Sequence, residues 1–125
     1  MIATPNVALV MHRVPAARRD TAARLRALGF AVSEFADEAH LWGRTILPAR
    51  GDHRSFVMVV EPTDEVVQDL EVLRSGRWQT PLVLLGSAAD ADVARRLRAA
   101  CVSSEHPTAT ELCTAIEFAV KAVAR

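Results

Sequence analysis

Apolar positions along this chain fall into short solid blocks, separated by longer stretches in which they recur every three or four residues. The first block, Val7-Ala-Leu-Val-Met11, has the length of a strand and is too short for a buried helix. Pro15 opens a helical stretch to Leu28 with Thr21, Leu25 and Leu28 on one face. Gly29 stands where a helix C-terminus favours a residue tolerant of positive φ. Phe30–Phe35 reads as a second strand. Glu38–Leu47, containing Leu41 and Trp42, reads as a second helix, and Arg50-Gly-Asp-His53 as a loop.

Phe56-Val-Met-Val-Val60 is apolar on both faces, which places it in the middle of a covered parallel sheet. A helix through Val66, Val67, Leu70 and Leu73 follows. Trp78 is expected over the lower edge of the sheet, just before a fully apolar strand at Pro81–Leu85. Ser87-Ala-Ala-Asp90 has the spacing of a helix cap with an acid three residues on, and predicts a helix to about Ala99. Ala100–Ser103 is a shorter strand. Thr108-Ala-Thr-Glu111 is a capping box for a last helix whose Leu112, Ile116, Ala119 and Val123 face inward.

Five strands alternating with five helices predict an α/β domain, an open, doubly wound parallel sheet covered on both sides. Functional groups of such sheets gather beyond the carboxyl ends of the strands. The residues there are Met11, His12, Glu61, Gly86, Ser87 and His106.

Composition narrows the function. The chain has 125 residues, half of them hydrophobic, enough for one core without a disulfide or structural metal. Fifteen basic and fifteen acidic residues leave no net charge, which argues against nucleic acid as a direct partner. Arginines gather at Arg18, Arg19, Arg24 and Arg26, and again at Arg95, Arg96 and Arg98; both sets read as solvated helix faces. No stretch has the apolar length to cross a bilayer, and Met1–Val14 lacks a signal-peptide layout, so a soluble cytoplasmic protein without a membrane partner is expected. Cys101 and Cys113 lie in apolar surroundings with no C-x-x-C pair and read as buried, reduced thiols. No phosphate-cradling glycine loop is present, and Ser87 reads as a helix cap rather than a nucleophile.

The strand ends make the chain resemble the receiver domain of bacterial two-component response regulators. Val7–Arg13 sits where that family has a strand ending in an acidic pair, and Phe56–Glu61 where it has the strand ending in the phospho-accepting aspartate. Leu70-Glu-Val-Leu-Arg74 resembles its leucine-rich third helix, Thr80–Leu85 its fourth strand, and His106-Pro107 its Lys-Pro pair. The resemblance implies one receiver-like domain over residues 1–125, of (βα)5 flavodoxin-like fold with strand order 2-1-3-4-5.

The positions that carry the family's chemistry differ. Met11 and His12 replace the metal-holding acidic pair, and a thioether is a poor ligand for a hard cation. Glu61 replaces the acceptor aspartate, Gly86 with Ser87 beside it the hydroxyl residue, and His106 the lysine. The aromatic switch position falls near Ser103. Phosphoryl transfer rests on positioning and charge neutralisation, so the resemblance implies a non-enzymatic pseudo-receiver, without cofactor and independent of aspartyl phosphorylation.

Glu61 invites a reading as a built-in phosphate mimic, for which His106 would need to be protonated or Arg13 close by; the other reading is a solvated remnant. An alternative function is a sensory domain binding a metal or small ligand at the strand-end pocket, where His12, Glu61 and His106 would suit zinc better than magnesium. His40 and His53 read as solvent-facing, and Trp42 as half-buried or as a partner anchor. The resemblance implies a protein partner, or homodimerisation, through the face made by Asp90–Ala100, Cys101–Ser104 and Thr108–Val123.

Overall fold

The computed structural model describes residues 5–37, 56–76, 78–86, 91–103 and 106–123. Its elements are β1 (Val7–Met11), α1 (Pro15–Ala27), β2 (Ala31–Phe35), β3 (Phe56–Val60), α2 (Asp64–Ser75), β4 (Leu82–Leu85), α3 (Ala91–Leu97), β5 (Ala100–Val102) and α4 (Ala109–Val123). The expected helix over Glu38–Leu47, with His40, Leu41 and Trp42, and the loop containing His53 lie outside the described residues, as does Ser87 with its cap.

All five strands are parallel, in the order β2-β1-β3-β4-β5. Alternate side chains divide into two half-cores, as the two-residue period of a strand requires. On one face Ala8, Val10, Val57, Val59, Val83 and Leu85 meet Leu25 of α1 and Leu112, Ile116 and Ala119 of α4. On the other, Leu9, Met11, Met58, Val60, Leu82 and Leu84 meet Val66 and Leu70 of α2, Ala94 and Leu97 of α3, and Trp78. Trp78 is thus a buried member of this half-core, four residues before β4 begins.

Local chemistry sets the helix ends. In α1, Pro15 occupies the first turn, and Phe30 N donates to Leu25 O and Gly29 N to Arg26 O, closing a Schellman motif with Gly29 at φ +101°. Leu28, expected on the buried face, is exposed because it caps this turn; Ala22 is buried with Thr21 and Leu25 instead. The capping box of α4 forms as expected, with Thr108 N donating to Glu111 Oε1 and Glu111 N to Thr108 Oγ1, both at 3.1 Å. The inward set Leu112, Ile116, Ala119 and Val123 is buried.

Three expectations are corrected. Cys101 and Cys113 are both exposed, and neither is in a disulfide. Cys101 alternates away from buried Ala100 and Val102 on β5, the outermost strand of the sheet among the described residues, and Cys113 is one position off the inward stripe of α4. The buried stripe of α2 runs Val66, Leu70, Arg74, with Val67 and Leu73 only half-buried. Arg74 tolerates burial because its Nε donates to Leu97 O at 2.6 Å and its Nη1 to Trp78 O at 3.0 Å, and its guanidinium lies 4.9 Å from the Trp78 ring centroid. Burial, and then the Arg98 charge, lowers its pKa to about 10, so it stays charged at neutral pH. Arg18, expected on a solvated face, packs against the strand ends described next.

Candidate functional site

The strand ladders continue one step past β1, β3 and β4 and so fix the rim of the sheet. His12 N donates to Phe35 O at 3.2 Å, Glu61 N to Met11 O at 3.0 Å, and Gly86 N to Val102 O at 2.8 Å. Met11 is buried in the half-core with Leu9, Met58 and Val60, so this position offers an apolar side chain and no oxygen. Beside it, His12 is half-buried. Its Nδ1 accepts from Val14 N at 3.0 Å, which leaves the neutral ring's proton on Nε2, the nitrogen 3.9 Å from Glu61 Oε2.

Glu61 is the centre of this group. Its Oε1 accepts from Arg13 Nε at 2.9 Å and from Arg13 N at 3.3 Å. Burial raises its pKa, but the Arg13 side-chain and backbone hydrogen bonds, with the His12 and Arg13 charges, outweigh burial and hold it below the usual carboxylate value. Arg18 braces the same loop: Nη1 donates to His12 O at 3.0 Å, and Nε lies 3.7 Å from Glu34 Oε1. Its side chain is only 15% exposed, because it spans from α1 to the ends of β1 and β2.

The other two rim positions point elsewhere. Gly86 has φ +103°, a conformation L side chains rarely adopt, although a Cβ there would meet no atom within 4 Å. Backbone conformation, rather than space, therefore excludes a hydroxyl residue. His106 is exposed, and its Nδ1 lies 3.8 Å from Asp20 Oδ2 of α1, a carboxylate that also pairs with Arg24. The structure thus brings Met11, His12 and Glu61 together and directs His106 to α1. Among the described residues, no group of three or more His, Cys, Asp or Glu side chains could hold a metal ion. Ser103 is exposed at the end of β5. Sequence reasoning missed Arg18 and Asp20, since neither lies at a strand end; the Asp20–Arg24 spacing of four residues was the only signal.

Comparison with solved structures identifies the architecture. FixJ-N superposes with a TM-score of 0.71 at 18% identity, covering 95% of this chain and 96% of that one. An atypical orphan response regulator, whose structure revealed a phosphorylation-independent regulatory mechanism, superposes with a TM-score of 0.68 at 8% identity, covering 92% and 95%. This is the receiver fold. A fusion bearing a trimeric coiled coil of yeast Spc42 gives 0.65 at 16% identity over 92% of this chain and 78% of that one. No protein-family model and no curated protein matches the chain. On the receiver fold, the rim assembled from His12, Arg13 and Glu61 is the end of the sheet where the phosphorylation chemistry expected from the resemblance would sit. Here it presents one carboxylate already held by a guanidinium, next to a thioether and an imidazole. Among the described residues no helix is long and apolar enough to cross a membrane.

Proposed function

We propose that this chain is a pseudo-receiver, a non-enzymatic signalling module that acts through protein contacts and does not depend on aspartyl phosphorylation. The observation that carries the reading is the state of Glu61. A phosphoacceptor needs a carboxylate oxygen free to attack, with a cation held by neighbouring acids to neutralise the incoming phosphoryl group. Glu61 spends Oε1 on Arg13, and the two neighbours that would supply acids are Met11 and His12. Gly86 and His106 supply neither the hydroxyl nor the cation on the opposite side, since Gly86 has no side chain and His106 faces Asp20. Arg13 lies within hydrogen-bond reach of Glu61, as the reading of Glu61 as a fixed-charge mimic requires, whereas His106 faces Asp20 instead. The likeness to a response regulator with a phosphorylation-independent mechanism supports the pseudo-receiver reading.

The contact face in this proposal is that of α3, β5 and α4, within Asp90–Val123. Exposed thiols outside any disulfide, Cys101 and Cys113, suit the reducing cytoplasm, and this proposal takes the module to act there. Treatment with acetyl phosphate and magnesium, followed by intact-mass measurement, tests the reading. An unchanged mass is expected, and a stoichiometric gain of one phosphoryl group overturns it.

A further inference from the structure

The first turns of α2 and the facing side of α3 enclose a cleft of about 420 Å³, and none of its described lining lies in β5 or α4. Asp64, Val67, Gln68 and Glu71 recur at helical spacing and so share one face of α2. Opposite them, Val93 and Arg96 stand three residues apart on α3. Arg96 Nη1 lies 2.9 Å from Glu71 Oε1, which sets the guanidinium at the level of Glu71. At about 1.5 Å of rise per residue, Asp64 lies about 10 Å along α2 from that level. The cleft thus has a carboxylate towards one end, a guanidinium towards the other, and Val67 and Val93 between them.

Both charges keep capacity for a ligand. Among the described residues no hydrogen bond or ion pair engages the side chain of Asp64 or of Gln68. Arg96 has its pair with Glu71, but the two side chains are 61% and 38% exposed, and a pair so open to water contributes little. A guanidinium also carries five N–H donors, more than one carboxylate takes up. Asp64 and Arg96 are too far apart along the cleft to neutralise one another. A purely cationic ligand would be drawn to Asp64 and repelled by Arg96, and a purely anionic one the reverse. A zwitterion meets both. Its two charges must be separated by an apolar spacer, because the valines lie between the charged ends; a simple α-amino acid, with its charges on adjacent carbons, does not span them.

We propose that the cleft between α2 and α3 binds a short ω-amino acid. The ammonium sits at Asp64 and Gln68, the methylene chain crosses Val67 and Val93, and the carboxylate reaches Arg96. The volume falls within the range of small-molecule sites. This binding goes beyond the protein-contact reading and does not depend on it. Since α3 belongs to the contact face of that reading, occupancy of the cleft gives the face a small-molecule input.

Titration of the isotope-labelled full chain with 5-aminopentanoate, followed by amide chemical shifts, tests the proposal. Saturable shifts are expected over Asp64–Gln68 and Val93–Arg96, with a Kd below about 10 mM for so small a ligand. Pentanoate lacks the ammonium and pentylamine lacks the carboxylate, so each should bind at least about threefold more weakly, the worth of one exposed charge contact. Glycine, which lacks the spacer, should also bind more weakly. Asp64→Asn should abolish the advantage of 5-aminopentanoate over pentanoate, and Arg96→Gln its advantage over pentylamine. A general loss of structure would instead weaken all four ligands together, and an unchanged thermal melt shows that each variant is folded. The proposal is overturned if 5-aminopentanoate gives no saturable shift of these amides up to about 50 mM, or shifts residues outside the cleft instead. It is equally overturned if any of the three partial ligands binds as tightly, or if the two advantages persist in the variants. None of these results bears on phosphorylation independence, which intact mass scores separately.

Discussion

Glu61 combines a half-buried carboxylate with two hydrogen bonds from one arginine, and its titration reports which influence wins. Burial pushes the pKa up, whereas Arg13, first through its side chain and then its backbone, and the His12 and Arg13 charges push it down; the net direction is below 4.5. A carboxyl with a lower pKa folded than unfolded stabilises the fold fully above the unfolded value, and the contribution fades as pH falls through the folded one. Arg13→Ala removes the side-chain donor and should raise the Glu61 pKa, as read from its carboxyl carbon shift between neutral and acid pH. An unchanged midpoint would show that the Arg13 bond carries no weight in solution. Gly86 makes a separate point at the same scale. Restoring a hydroxyl there by Gly86→Thr should destabilise the domain by about 1–3 kcal/mol, since a β-branched residue is forced to positive φ. Urea unfolding measures this, and a neutral result would show that the turn relaxes. Strand ends alone located Met11, His12, Glu61 and Gly86 in the sequence. The partner of His106 could not be read there, because it depends on where the turn before α4 lies against Asp20 of α1.

Two helices end in the same way with different residues. The Schellman motif of α1 has Gly29 at the left-handed position. That of α3 has Arg98 there at φ +52°, with Ala99 N donating to Ala94 O at 2.8 Å and Arg98 N to Arg95 O at 3.2 Å. A side chain in this conformation costs roughly 1 kcal/mol relative to glycine. Arg98→Gly should therefore stabilise the domain by about 0.5–1 kcal/mol in urea unfolding, and it removes the cation that lowers the Arg74 pKa. A loss of stability would mean that the Arg98 side chain contributes more through packing than its backbone costs. Helix starts and ends with dedicated residues, such as Thr108 with Glu111 and Gly29, were readable from sequence. The α3 end was not, because arginine gives no signal for a left-handed turn. Arg74 escaped for a related reason: a hydrophobic period selects Leu73, while the buried position is set by the Leu97 and Trp78 carbonyls that only the fold brings near.

At the scale of the whole molecule, the alternation of apolar blocks and helical stretches was sufficient for the sheet, because doubly buried strands such as Phe56–Val60 have no stable place outside one. The order β2-β1-β3-β4-β5 then puts β3 at the centre and carries Glu61 to the middle of the rim. Burial of the thiols was misjudged because apolar neighbours in sequence do not reveal that β5 is the outermost strand among the described residues or that Cys113 lies off the α4 stripe. That arrangement has a consequence for stability. Both half-cores are closed by aliphatic side chains with Trp78, and the two cysteines are exposed on separate elements. Among the described residues no third metal-ligating side chain joins His12 and Glu61, and His106 faces Asp20. Thermal melts in the presence of a chelator and of a reductant should therefore overlay the untreated curve. A melting temperature lowered by chelator would reveal an ion bound to the native state alone, which stabilises by mass action. One lowered by reductant would instead reveal a cross-link through exposed Cys101 or Cys113. The two outcomes separate cleanly, since a chelator leaves a disulfide intact and addition of zinc after chelation would restore only the first.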